Sequence, residues 1–218
     1  MIIVGAKGLA KEVLEVFHER NEILNIVFYD DISLDLPELL YDKFRVLKSI
    51  TEVAKVMSND NRYTLGLGVP ILRYNLDKKF EEVGGVLKSC ISIHARIGNY
   101  ETIIEDGCTI LMGAIITNGV HIGKGVLINP NCTISHDVRI GKFTEVSPGA
   151  QIAGHARVGA FSQIGTNATV LPKVSIGNNV IIGAGAVVTK DVPDNSVVTG
   201  VPGKIINILP PLNDDYLS

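Results

Sequence analysis

His136 is followed directly by Asp137, in the segment Ile134-Ser135-His136-Asp137. A carboxylate beside an imidazole fixes its tautomer and raises its basicity, which is what a general base requires. The other four histidines read as structural or surface residues. His18 falls on a predicted helix, His94 at a junction, and His121 just before an inward-facing isoleucine. His155 follows Gly154 at a corner and reads as solvent-facing.

The elements that carry His136 are announced by a repeat. From Ile104 to Val188 every sixth residue is aliphatic, and four residues after each comes a small or β-branched one, from Cys108 to Val192. A period of six fits neither a helix nor simple strand alternation; it marks a hexapeptide β-helix. Each hexapeptide supplies a short strand and a corner, and three of them make a triangular coil of about 18 residues. The aliphatic residue points into the prism, and His136, two positions past Ile134, points out. Gly123, Gly141, Gly159, Gly165, Gly177, Asn167 and Asn179 fall at corners and read as residues chosen for left-handed or tight backbone. Ile91, Ile93 and Ile97 run one residue out of phase with Ile104, which calls for a bulge near residues 99–102.

The first 89 residues lack this period. Apolar runs and helical spacing alternate instead: strands at 1–4, 26–29, 44–47, 63–67 and 86–87, helices at 10–19, 51–57 and 71–82. That βαβ order argues for an α/β, Rossmann-like unit with a small parallel sheet. The expected organisation is therefore a Rossmann-like domain at 1–89, a parallel β-helix at 90–204, and a tail at 205–218. Residues 200–204 read as a loop, and the polar tail as poorly ordered.

Bulk properties exclude several classes. A net charge of −3 gives no reason to expect a nucleic-acid partner. No apolar run is long enough to span a bilayer, and no basic leader precedes Ile2-Ile3-Val4, so the expectation is cytoplasmic, without membrane insertion. Three widely spaced cysteines argue against a disulfide framework; Cys108 and Cys132 occupy the small-residue slot and read as buried thiols.

Several motifs together carry a resemblance over nearly the whole chain, to about Lys204. They are Val4-Gly5-Ala6-Lys7-Gly8, Tyr29-Asp30-Asp31, Leu67-Gly68 with Arg73, and Ile134-Ser135-His136-Asp137. Ser147-Pro148-Gly149-Ala150 with Ala153-Gly154, and Gly200-Val201-Pro202, complete the set. The chain resembles the sugar O-acyltransferases of the sialic acid O-acetyltransferase type, a group that includes bacterial nucleotide-activated 4-amino-sugar N-acetyltransferases of bacillosamine and perosamine pathways. The resemblance implies a left-handed coil, a homotrimer with ligand sites between subunits, acetyl-CoA as cosubstrate, and no metal. It implies that His136 is the base, Asp137 its supporting carboxylate, and the Gly154 N–H a donor to the thioester carbonyl. Gly154 lies 18 residues after His136, one coil along. A base and an oxyanion donor so placed can flank one reacting carbonyl. It further implies that Asn129 lies near the sugar, that Lys7, Gly8, Leu9, Asp30, Asp31 and Gly68 hold the nucleotide sugar, and that Thr166 and Ala184 lie on the acetyl-CoA wall. Two positions depart from the family: Leu9 stands where a histidine is frequent, and Glu145, on the CoA side, where close relatives have a CoA-contacting histidine; the alternatives there are that Glu145 binds an amine or faces away and that His155 takes over part of the CoA contact.

The expected activity is acetyl-CoA-dependent N-acetylation of a nucleotide-activated amino sugar. O-acetylation of a capsule, lipopolysaccharide or sialic acid precursor would use the same base. A γ-carbonic anhydrase-like metal site needs a close histidine pair five residues apart, and His121, His136 and His155 offer none. A non-catalytic nucleotide-sugar-binding trimer is the remaining alternative.

Overall fold

The computed structural model describes residues 1–217; Ser218 lies outside the described residues. Six strands form the first sheet: β1 (Ile2–Val4), β2 (Val27–Tyr29), β3 (Leu39–Leu40), β4 (Phe44–Leu47), β5 (Arg62–Leu65) and β6 (Val86–Leu87). Their order is β3-β4-β2-β1-β5-β6, parallel except for the antiparallel β3–β4 pair. All three residues of β1 are buried, as expected for a central parallel strand covered on both faces. Helices α1 (Gly8–Glu19), α2 (Ile50–Met57) and α3 (Pro70–Glu81) supply the covering layers. The start of α2 is capped: the Ser49 side chain accepts from Glu52 N, and the Glu52 carboxylate reaches back to accept from Lys48 N at 2.7 Å, one residue before the N-cap. Each expected helix and strand is found within a few residues; β3 is an addition, paired only through a tight turn onto β4.

The repeat builds a three-walled parallel prism. The first wall carries the strands that begin at Cys90 and Thr109 and continue through Leu127–Ile128, Glu145–Val146, Gln163–Ile164 and Ile181–Ile182. The second holds Thr133–Ile134, Gln151–Ile152 and their neighbours; the third holds His121–Ile122, Arg139–Ile140 and theirs. Registers match the period: Ile116 pairs with Ile134, Ile134 with Ile152, and Ile152 with Val170. These residues and the small corner residues form one buried core. The predicted phase shift is present. Ile97 pairs with Ile116 but Ile104 with Ile122, so one extra residue enters between them, where Glu101 has φ 55°. Ile93 does not join the core; it is exposed.

Two expectations need correction. Gly123, Gly141, Gly159, Gly165 and Gly177 are not the left-handed residues. They allow close approach instead: a Cβ at Gly159 would lie 2.5 Å from the backbone of Gly177 in the next coil. The left-handed corners fall elsewhere and include Asp137 (φ 61°) and His155 (φ 61°), alongside Asn167 and Asn179 as expected. Second, residues 204–208 are neither loop nor disordered tail. Lys204–Ile208 forms an antiparallel strand on Ser196–Thr199, which closes the last coil of the first wall. The end of a β-helix presents unpaired backbone groups, and this hairpin satisfies them.

The two halves share a core. Cys90 and Leu111 of the prism pack with the α1 side of the sheet, and Phe143 and Phe161 with the α3 side. The buried Arg73 guanidinium donates to the carbonyls of Leu67 (2.8 Å) and Leu65 (3.2 Å) at the end of β5, and to Gly125 O (2.9 Å) of the prism. Buried Asp77 accepts from Tyr63 Oη at 2.6 Å and pairs with Lys124 Nζ at 2.8 Å. The sheet layer thus sits on the first wall and on the corner between the third and first walls. The corner between the second and third walls points away from it.

Candidate active site

His136 and Asp137 stand on that opposite corner. The Asp137 carboxylate contacts His136 Nδ1 at 2.8 Å, leaving Nε2 as the outward nitrogen. The hydrogen bond from His136 holds the Asp137 carboxyl below its ordinary value, and the Arg139 guanidinium acts in the same direction. A carboxylate that stays ionised keeps the ring proton on Nδ1 and the Nε2 lone pair free. One coil along, Gly154 lies directly beneath the imidazole: a Cβ there would be 2.6 Å from both His136 Nε2 and Cε1. Among the described residues the Gly154 N–H donates to no backbone carbonyl, whereas His155 N donates to His136 O at 3.0 Å. A proton acceptor therefore sits against the glycine one coil along, whose N–H makes no backbone hydrogen bond, and acyl transfer uses a base together with such a donor.

His155 was read as a solvent-facing corner residue, and the structure adds a contact. Its Nε2 lies 3.7 Å from Asp137 Oδ2, and its ring meets that of His136 edge-on at 5.0 Å. The spacing of 18 residues between Asp137 and His155 is the signal for it. His136, Asp137 and His155 bring three metal-capable atoms within 4.8 Å of one another. Close histidine spacing along the chain does not reveal that grouping, because the three residues meet across successive coils.

A cleft of about 570 Å³ opens at the carboxyl ends of β1, β2 and β5. Strand order changes direction across β1 here, the place where open α/β sheets bind ligands. Lys7, Gly8, Leu9, Asp30, Asp31 and Gly68, all expected from sequence, line it. Their side chains differ in what they leave free. Lys7 Nζ pairs with Asp35 at 2.9 Å. Asp30 shapes its loop, accepting from Ser33 N (2.8 Å) and Ile32 N (3.2 Å). Asp31 accepts from Tyr29 Oη and Lys79 Nζ, each at 2.6 Å. Tyr29 and Lys79 were not expected in the cleft; α3 brings Lys79 there from 48 residues away, a contact no local pattern reveals. A larger depression of about 1000 Å³ lies at the other strand ends, but its Arg62 is already paired with Asp60 at 2.8 Å.

Asn129 and Glu145 lie together on the first wall. Glu145 accepts from Gln163 Nε2 (3.0 Å), Ser147 Oγ (3.3 Å) and Asn129 Nδ2 (3.4 Å). A Cβ at Gly68 would be 3.5 Å from its Oε1, so Glu145 borders the cleft beside the sheet. The sequence placed it with the acetyl donor; in the structure it touches the residues expected around the sugar. Thr166 and Ala184 stack one coil apart on the corner between the first and second walls, where Gly185 N donates to Thr166 O at 2.8 Å. They lie on neither the His136 corner nor the cleft; the second wall separates them from His136.

The family pattern described as bacterial transferase hexapeptide (six repeats) matches residues 101–136, 119–154 and 155–190. Solved structures extend the likeness to both halves. A perosamine N-acetyltransferase from Caulobacter crescentus, crystallised as a histidine mutant with CoA and GDP-perosamine, is 28% identical. It covers 94% of this chain and 96% of that one, with a TM-score of 0.86. The acetyltransferase domain of PglB from Neisseria gonorrhoeae, in complex with acetyl coenzyme A, is also 28% identical, with a TM-score of 0.86 and 94% and 98% coverage. Among curated proteins, eukaryotic translation initiation factor 6 of Guillardia theta is 26% identical over 156 residues; the chain spans 62% of that relative's length. No described helix is long and apolar enough to cross a membrane.

Proposed function

We propose that this chain is an acyltransferase of the hexapeptide-repeat kind and that it N-acetylates a nucleotide-activated amino sugar with acetyl-CoA, a reading supported by the repeat match and by the likeness to solved amino-sugar N-acetyltransferases. The observation that carries the reading is the His136 imidazole, backed by Asp137 and seated on Gly154. The sugar nitrogen attacks the thioester carbon, and a new C–N bond forms. His136 Nε2 takes the proton from nitrogen; the Gly154 N–H donates to the carbonyl oxygen as it gains negative charge. The C–S bond breaks, the amide is released, and the proton held by His136 passes to the departing CoA sulfur. The site residues fit acetyl-CoA without a covalent enzyme intermediate.

In this reading residues 1–89 are a Rossmann-like nucleotide-sugar domain, 90–204 the left-handed acyltransferase prism and 205–218 a tail. Lys7, Gly8, Leu9, Asp30, Asp31 and Gly68 hold the nucleotide sugar, with Asn129 and Glu145 at its sugar end. Thr166 and Ala184 line the path of CoA. The acceptor cleft lies in the sheet layer that packs on the first wall, but His136 is on the corner opposite that wall. One chain cannot bring both to one substrate, so the reaction is assigned to a homotrimer in which neighbours complete each site. The exposed apolar residues Met112, Ile115 and Leu171, along the second wall and its corners, support burial between copies. The assay is CoA release with GDP-, UDP- and dTDP-linked amino sugars, their deaminated hydroxyl analogues and the free sugars. Turnover confined to an amino-sugar nucleotide is expected. Turnover of hydroxyl analogues alone would make the enzyme an O-acetyltransferase; no turnover with any acceptor would remove the activity.

A further inference from the structure

We propose that His136, Asp137 and His155 form an inhibitory site for a divalent transition-metal ion of zinc type, which silences the enzyme by occupying its base. The inference rests on the reading of His136 as that base.

The ligand atoms stand near the separations a tetrahedral site needs. Zinc bonds to imidazole nitrogen and carboxylate oxygen of about 2.0–2.2 Å place neighbouring atoms of a tetrahedron about 3.3–3.6 Å apart. Here His136 Nδ1 is 2.8 Å and His155 Nε2 is 3.7 Å from the same oxygen, Asp137 Oδ2. The three ligand atoms lie within 4.8 Å of one another. Small side-chain rotations bring both edges into range, and all three side chains are about half exposed or more, so little opposes them. Solvent supplies the fourth ligand. Two imidazoles and one carboxylate favour zinc, copper, nickel or cobalt; magnesium and calcium require sets dominated by oxygen.

The backbone holds the pair of ligands in place. Asp137 and His155 occupy equivalent left-handed corners of successive coils, with φ of 61° at both. The coil spacing, rather than a flexible loop, sets their distance. Occupancy and catalysis are mutually exclusive. Coordination through His136 Nδ1 leaves the ring's single proton on Nε2; coordination through Nε2 consumes the lone pair itself. In either case no base faces Gly154.

The test uses the full chain after treatment with a chelator. Zinc binding is followed by calorimetry, cobalt binding by visible absorption, and acetyl transfer by CoA release. The expected result is one ion per chain and at least about tenfold inhibition at saturation, reversed by chelator. The control variant is His155→Asn, which keeps a residue suited to a left-handed corner. Its own transfer rate without metal is the reference against which its inhibition by zinc is read. It should bind zinc at least about tenfold more weakly, since even groups behind metal ligands are worth that much. Equal zinc affinity in His155→Asn, no stoichiometric binding in the wild type, or binding without inhibition overturns the proposal. Loss of transfer in His136→Ala together with no stoichiometric zinc binding by the wild type would sink this inference and leave the base assignment standing.

Discussion

Replacing Gly154 by alanine is the most discriminating single perturbation of the site. The backbone at Gly154 is not in the left-handed region, so alanine meets no conformational penalty there. The new Cβ would nevertheless sit 2.6 Å from His136 Nε2 and Cε1. Ordinary carbon contacts need about 3.5 Å, so the imidazole must retreat by about 1 Å. It is free to do so, because the side chain is 62% exposed. The consequence therefore falls on rate rather than on stability. Retreat stretches the 2.8 Å contact with Asp137 and moves Nε2 away from the free N–H of residue 154. A misplacement of about 1 Å costs on the order of 100-fold in rate, equivalent to about 2.7 kcal/mol of transition-state stabilisation. The assay is steady-state CoA release at varied nucleotide sugar, with thermal unfolding in parallel. The expected outcome is a large fall in kcat, little change in KM for the nucleotide sugar, and a Tm close to wild type. A variant that turns over at the wild-type kcat would refute the argument that His136 works pressed against Gly154.

Other outcomes follow from the same geometry. Arg73→Met should lower stability by about 3 kcal/mol, because the Leu67 and Gly125 carbonyls lose their buried donor. Denaturant unfolding measures it, and a raised KM for the nucleotide sugar should accompany it, since Leu67 and Gly68 line the cleft. The lowered Asp137 carboxyl implies that its contribution to stability is present above the ordinary carboxylate range and is lost only as pH falls through the lowered value. The acid limb of kcat/KM should accordingly carry no titration in the ordinary carboxylate range; a limb centred there would contradict this. Burial pushes the Cys90 and Cys108 thiols up to about 12 and Cys132 to about 11. Native protein should resist iodoacetamide at neutral pH, and mass spectrometry should show all three labelled after unfolding.

The prism was legible because each inward residue of a β-helix repeats the contact of the one a coil below, so Ile116, Ile134 and Ile152 record the structure in their spacing. The same ruler, 18 residues, sets Gly154 one coil from His136. It did not reveal which corners are left-handed. Phe143, Phe161, Asp137 and His155 adopt that conformation because the coil imposes it on whatever residue arrives there, while Gly159 is small because another coil presses on it. The closing strand Lys204–Ile208 was hidden because its partner, Ser196–Thr199, exists only once the first wall ends. Lys79 in the cleft and Glu145 against Gly68 are contacts between elements distant in sequence, and nothing periodic marks them.

The central claim is that His136 removes the proton during acetyl transfer. Its most direct measurement is kcat of His136→Ala against the wild type, with an amino-sugar nucleotide and acetyl-CoA both saturating. A general base contributes about 100- to 10,000-fold, and a loss in that range is predicted, with the fold intact by circular dichroism. Wild-type turnover by that variant would contradict the account.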